Sequence, residues 1–199
     1  TYYAQRMGLA LTRDPYIFSK APSESYPPFH GDTSWMYWYE NQWSNYRDPG
    51  FFKENSTCYL VHTSHTWAWK AAIALATSAD YFTWHDAGPI YVADNWHAIE
   101  SVFLMKRNSR YHLFFTEETI EGISHMSSDS LRSGWNIATR PVIDLGAASE
   151  VLDLGDDRYI FSRHTKYTTV ARPMGQVDGD IHSPSQSVLI FDHTGYTLM

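Results

Sequence analysis

Two acidic residues stand out for the residues around them. Asp48 lies in Arg47-Asp48-Pro49-Gly50-Phe51-Phe52, and Glu100 in Ile99-Glu100-Ser101-Val102-Phe103-Leu104. Each is followed by a polar turn and then a run opened by a tyrosine, Tyr59-Leu60-Val61-His62-Thr63 or Tyr111-His112-Leu113-Phe114-Phe115-Thr116. Paired carboxylates suit acid–base chemistry, one protonated to deliver a proton, the other ionised to attack, activate water or orient substrate. Cleavage of a glycosidic bond asks for that division of labour. Glu100 follows Trp96-His97-Ala98-Ile99 and precedes an apolar run. Such surroundings are expected to disfavour the charged form and to suit the acid. Asp48, beside Arg47, is expected to stay ionised and to orient substrate or tune the acid.

What must position these residues is a set of short strands. Ser149-Glu150-Val151-Leu152, then Gly155-Asp156-Asp157 and Arg158-Tyr159-Ile160-Phe161-Ser162, form a weaker third copy of the same pattern. Asp48 to Tyr59 and Glu100 to Tyr111 are each 11 residues, and Glu150 to Tyr159 is 9. A second hairpin recurs too: residues 72–78 lead to Asp80 and Trp84, residues 122–128 to Asp129 and Trp135, and residues 7–12 to Asp14. A repeat of about fifty residues built from short strands is the signature of a β-propeller, one four-stranded sheet per blade. The first strand of each blade then lines a common axis, where distant residues converge.

The expected fold is therefore all-β, a five-bladed propeller with blades of four antiparallel strands and incomplete blades at both ends of this chain. Residues 1–22 read as the second half of a first blade, 23–46 as an aromatic loop, and 47–92, 99–143 and 149–182 as blades. Residues 183–199 read as a partial closing blade, the whole chain being a single domain. The loop holds Tyr26, Phe29, Trp35, Trp38, Tyr39 and Trp43, broken by Pro27-Pro28 and Gly31-Asp32, and is read as a wall facing substrate. A helical reading fails, since no window sustains an i, i+3, i+4, i+7 apolar stripe beyond about two turns.

Composition narrows the function further. Of 199 residues, 16% are aromatic, with 8 Trp and 14 Tyr, which fits a surface for carbohydrate or another flat ligand. The formal net charge of −7, without a basic run, argues against nucleic acid as partner. No stretch approaches the ~20 apolar residues of a membrane span, so no membrane partner is expected. The single cysteine, Cys58, reads as a buried inert thiol, and neither zinc spacing nor a redox or cofactor motif is present.

The Arg-Asp-Pro run, and Glu-Ser followed by Phe-Leu-Met-Lys-Arg-Asn and Tyr-His-Leu-Phe-Phe, resemble the five-bladed glycoside hydrolases of families 43 and 32. The Ser-Asp turn at 128–129 with Gly134-Trp135 fits the same group. That resemblance implies three acidic residues, one per early blade: a base or nucleophile, a substrate-orienting Asp in Arg-Asp-Pro, and a Glu acting as general acid. By position Asp48 takes the second role and Glu100 the third, while the first has no counterpart in this chain, Asp14 lying in the wrong strand. The Ser after Glu100 departs from the Gly common in family 43 and the Cys common in family 32, so the subfamily stays open. Secretion or a periplasmic location fits such a function better than the cytoplasm. The resemblance allows a structural calcium, but no ligand cluster indicates one, and no metal is assigned.

The resemblance makes the expected function hydrolysis of an arabinoside-, xyloside- or fructoside-type glycan. The alternative is a non-catalytic carbohydrate-binding propeller that has lost its base. Arg47, Trp67, Trp69, Trp96, His97 and Glu150 are the expected substrate-binding residues. The tryptophans would stack on a sugar face, His97 would meet hydroxyls, and Glu150 would either line the pocket or pair with Arg140 or Arg163. His62 and His65 read as satisfied structural histidines, and Trp84 and Trp135, at matching blade positions, as packing.

Overall fold

The computed structural model describes residues 4–14, 16–20, 31–96, 99–117, 122–136, 142–145, 147–155, 158–164, 184–192 and 195–198. Among them every long element is a strand. A ribbon pairs β1 (Ala10–Asp14) with β2 (Ile17–Lys20). Sheet 1 runs β3 (Tyr46–Glu54), β4 (Thr57–His65), β5 (Ala71–Ser78) and β6 (His85–Val92). Sheet 2 runs β7 (Ile99–Arg107), β8 (Arg110–Glu117), β9 (Gly122–Ser128) and β10 (Val142–Leu145). Sheet 3 runs β11 (Ala147–Gly155), β12 (Arg158–His164), β13 (Pro184–Asp192) and β14 (Gly195–Leu198).

Each four-stranded sheet is an antiparallel meander in chain order. Asn108 and Ser109, between β7 and β8, have φ of 48° and 65°. Two consecutive positive φ values make a hairpin turn whose twist matches that of its strands. The last two strands correct the sequence reading. Residues 183–199 were expected to begin a closing blade, yet β13 pairs with β12 and β14 with β13, so they complete sheet 3. Strand pairing across the long segment 165–183 is a tertiary choice that local pattern does not reveal.

The apolar patterning of the strands follows from sheets stacked face on face. On β8, Tyr111, Leu113 and Phe115 pack toward sheet 1, against Val61, Ile73 and Leu75. Phe114, on the opposite face, packs with Ile123 and with Tyr159 of sheet 3. Sheet 2 is thus covered on both sides, which is why β8 reads Leu-Phe-Phe rather than alternating. Phe114 and Phe115 are fully buried, worth about 1.5–3 kcal/mol each by area. Cys58, on β4, is buried and free.

The remaining face of sheet 1 is closed by Met7, Met36 and Trp38, which bury with Tyr46 and pack on Leu60 and Trp84. Part of the aromatic loop therefore serves the core. Met36 and Trp38 point into this core, whereas Tyr37 and Tyr39 alternate outward. Tyr37 N–H donates to His65 O at 2.9 Å, pinning the segment to the end of β4. Residues 21–30 of the loop lie outside the described residues.

Strand β7 packs beside both β3 and β11, and all three carry the same irregularity. Their register shifts fall between Arg47 and Gly50, Glu100 and Phe103, and Ala147 and Glu150. Within each shift one residue adopts positive φ: Asp48 at 56°, Ser101 at 53° and Ala148 at 53°. A bulge of this kind inserts a residue and re-aims its neighbours. It equates Arg47 with Glu100 and Ala147, and Asp48 with Ser101 and Ala148. The three carboxylates aligned from sequence do not, therefore, share one strand position.

Candidate active site

The site lies where β3 and β7 begin, side by side. Arg47 and Glu100 occupy equivalent positions on the two strands, and the guanidinium Nη2 pairs with Glu100 Oε1. Arg47 Nε donates to Asn45 Oδ1 at 2.7 Å, and it stands 4.0 Å from Asp48 Oδ2. Asp48 Oδ2 instead accepts the Ser101 backbone N–H at 2.9 Å. The side chains of Arg47, Asp48 and Glu100 are 29%, 27% and 29% exposed, so solvent or a ligand reaches all three.

This overturns the expected surroundings of Glu100. Its immediate partner is not an apolar wall but the cation expected to serve Asp48. A guanidinium only donates, so Oε1 is an acceptor here, and a proton for a leaving group has to ride on Oε2. The cause is the bulge, which turns Arg47 across to the neighbouring strand and leaves Asp48 over the N–H of Ser101. Sheet 3 repeats the second contact with another residue, the Ala148 N–H donating to Thr116 Oγ1 at 3.0 Å. Asp48 thus also holds two sheets together.

Below this pair the inner strands leave a pocket of about 210 Å³. Each strand lends three consecutive residues: Asp48-Pro49-Gly50, Ser101-Val102-Phe103 and Ala148-Ser149-Glu150. Gly50 is required by the close approach, since a Cβ there would lie 2.5 Å from Val102 O and 2.9 Å from Val61 Cγ2. Glu150 is exposed and lines the same pocket as Asp48. The counter-ions considered for it, Arg140 and the Arg163 side chain, lie outside the described residues. His97 does too.

Sequence reasoning missed two buried members of the site. Asn45 shares a strand face with Arg47, two residues on, and period-two spacing was the signal available for it. Since Asn45 Oδ1 accepts from Arg47, its Nδ2 donates to His65 Nδ1, at 3.3 Å. His65 Nε2 then carries the proton and donates to Trp96 O at 3.0 Å. A chain of contacts therefore runs from Glu100 through Arg47, Asn45 and His65 to Trp96.

At its far end are the aromatic residues. Trp67 and Trp69 are each 43% exposed and Trp96 is 62% exposed. Tyr37 lies 4.3 Å from Trp69 and 5.7 Å from Trp67 between ring centroids, and Tyr39 lies 5.6 Å from Trp67. These rings stand at the same end of sheet 1 as Arg47 and Asp48, because β4 ends where β3 begins. Trp84 and Trp135 are elsewhere, half-buried, donating their indole N–H groups to Tyr81 O and Leu131 O. Among the described residues no three His, Cys, Asp or Glu converge as metal ligands.

No family model matches the sequence, and no curated protein matches it. Solved structures match by shape. A family GH32 β-fructofuranosidase from Bombyx mori superposes with a TM-score of 0.69 at 15% identity, over 96% of this chain and 42% of that one. A GH43 β-xylosidase/α-arabinofuranosidase from a compost microbial metagenome, solved with xylotriose, gives 0.57 at 11%, over 78% of this chain and 57% of that one. An exo-β-1,3-galactanase from Clostridium thermocellum gives 0.55 at 11%, over 77% and 36%. The chain spans from about a third to just over half the length of these structures. At such identities the fold is what is shared: an all-β chain built like the β-propeller glycoside hydrolases of families 43 and 32.

Proposed function

We propose that this chain is part of a five-bladed propeller glycoside hydrolase acting on arabinoside-, xyloside- or fructoside-type glycans. Glu100 is the proton donor, and Asp48 orients the sugar. The observation that carries the reading is the meeting of Arg47, Asp48 and Glu100 on neighbouring inner strands, beside a rim of exposed aromatic rings. Support comes from neighbours in shape that were solved with xylotriose.

The chemistry follows from the donor and acceptor inventory. Sugar hydroxyls entering the site compete for the Arg47 donors and draw the guanidinium from Glu100. Asp48 offers Oδ1, the oxygen that Ser101 leaves unused, as an acceptor for hydroxyls. Glu100 then delivers its proton from Oε2 to the leaving oxygen as the anomeric bond breaks. Attack at the anomeric carbon falls to a third group, which none of the residues assigned here supplies.

The contact between Arg47 and Glu100 also favours a second reading, a carbohydrate-binding propeller without turnover, since the carboxylate is tied up in the free protein. Hydrolysis of aryl arabinofuranosides, aryl xylosides and sucrose-type fructosides by the full-length protein, which is to supply the third group, and by its Glu100→Gln variant separates the two. Turnover that collapses in the variant supports the hydrolase. Sugar binding without turnover in either supports the binding propeller.

A further inference from the structure

We infer that the pocket between turn 66–70 and segment 94–96 is a second glycan subsite, holding a sugar unit distant from the one at Glu100, so that the natural ligand is an oligomer. This rests on the carbohydrate reading of the site but not on turnover. The pocket measures about 370 Å³ and is lined by Ala68, Trp69, Lys70, Asp94, Asn95 and Trp96. The lining combines two indoles with an ammonium, a carboxylate and an amide. A sugar ring presents that combination in reverse, apolar C–H faces with a rim of hydroxyls that both donate and accept. The net charge of −7 and the carboxylate of Asp94 disfavour a nucleic acid here.

Both walls are pinned before any ligand arrives. The Thr66 N–H donates to Lys70 O and the Trp69 N–H to Thr66 O, each at 2.9 Å, and the Lys70 N–H reaches Thr66 Oγ1 at 3.3 Å. Across the pocket, the Ala71 N–H donates to Asn95 O at 2.9 Å, and His65 holds Trp96 O at 3.0 Å. A site ordered in advance loses little entropy on binding. Trp69 has φ of 58°, a left-handed conformation that a bulky side chain rarely adopts. The closed turn enforces it, and the indole is left projecting into solvent beside the pocket. Such strain concentrates at ligand clamps.

A chain of hydrogen bonds links the pocket wall to the carboxylate pair. His65 serves both, holding Trp96 O with one ring nitrogen and Asn45 with the other, and Asn45 holds Arg47. A glycan extending from Glu100 toward the rim meets Trp69 and Trp96 in a fixed relation to the first sugar.

Titration of the chain with xylo-, arabino- and fructo-oligosaccharides of one to six units, followed by tryptophan fluorescence and calorimetry, tests the inference. Trp96→Ala removes an exposed ring, and Trp69→Gly removes the other while suiting the left-handed backbone. The expected result is affinity for one oligomer series that rises at least tenfold with length. Each tryptophan variant should abolish that rise, and Glu100→Gln should retain it. Affinity independent of length, absence of binding by every series, or preferential binding of a proline-rich peptide overturns it. Length-dependent binding by the chain with no hydrolysis by the full-length protein supports the subsite while removing the hydrolase reading. Hydrolysis of aryl glycosides without length dependence does the reverse.

Discussion

The guanidinium of Arg47 on β3 meets the carboxylate of Glu100 on β7, at the equivalent position of the neighbouring sheet and 53 residues along the chain. Its neighbour in sequence, Asp48, takes instead the backbone N–H of Ser101, again 53 residues away. The two residues of one short motif thus make two different links between the same pair of strands. Their separation defines what each substitution should do.

Arg47→Ala removes the donors that hold Glu100 and that sugar hydroxyls would take over. Hydrogen bonds to charged groups contribute about 1.5–3 kcal/mol, so kcat/KM for any glycoside cleaved should drop by about tenfold or more. The exposed pair itself contributes about 0–1 kcal/mol to stability, and loss of the donor to buried Asn45 Oδ1 should add about 1–3 kcal/mol. Steady-state kinetics beside a urea melt would check both. A large loss of stability with unaltered kinetics would make the pair structural.

Asp48 has a second, structural duty, and two variants separate it from the first. Asn suits the positive φ of 56° and keeps an acceptor for Ser101, whereas Ala, which adopts φ of 53° at the equivalent position 148, offers no acceptor. Asp48→Asn should retain stability and lose turnover. Asp48→Ala should lose turnover and also about 1–3 kcal/mol, from the Ser101 N–H left unsatisfied. Equal melting of the two variants would remove the structural duty.

Gly50 sets how closely β3 approaches β7. A methyl group there meets a backbone oxygen, which cannot rotate away as a flexible side chain would. Gly50→Ala should therefore cost about 1–3 kcal/mol and spread the two strands that carry Arg47 and Glu100. If Gly50→Ala melts like the parent chain, the close approach is not tight.

Acid should weaken the fold through its buried histidines. Burial pushes His62 and His112 down from 6.5 to about 4, with Arg110 and Arg107 adding to the effect on His112. His125, between His112 and Phe114, is pushed to about 3 by burial and then by His112. In each case the unfolded chain takes up a proton before the folded one. The stability they contribute is complete above pH 6.5 and is lost as pH falls toward about 4. Urea midpoints should decline across that window, and more shallowly in a His112→Gln/His125→Gln double variant. An identical slope in that variant would place the acid sensitivity elsewhere.

Much of the fold was legible because its cues are local. The turn at Asn108-Ser109, the Ser78–Asp80 turn and the apolar runs of β5 and β8 each read as themselves, and the repeat followed. The aromatic rim at Trp67, Trp69 and Trp96 was legible from composition and place. Two things were not. The sequence alignment placed Glu100 opposite Asp48 by counting to the next tyrosine. Tyr59 pairs with Phe52 but Tyr111 with Lys106, so the two tyrosines stand one position apart in their sheets and the count is off by one. The closing strands were assigned to a blade of their own, because pairing of β12 with β13 spans a segment whose pattern carries no register.

The residues alone determined that this chain forms antiparallel meanders with acidic residues at the starts of inner strands, since side-chain alternation and turn chemistry act over a few residues. Tertiary structure decided which acid meets the arginine. A positive-φ bulge on each inner strand rotates the local side chains, and stacking of sheet on sheet brings Arg47 to Glu100, Asp48 to Ser101 and Asn45 to His65. Those contacts join strands that are distant in sequence, and their partners become definite only when the bulges and the sheet packing fix the register together.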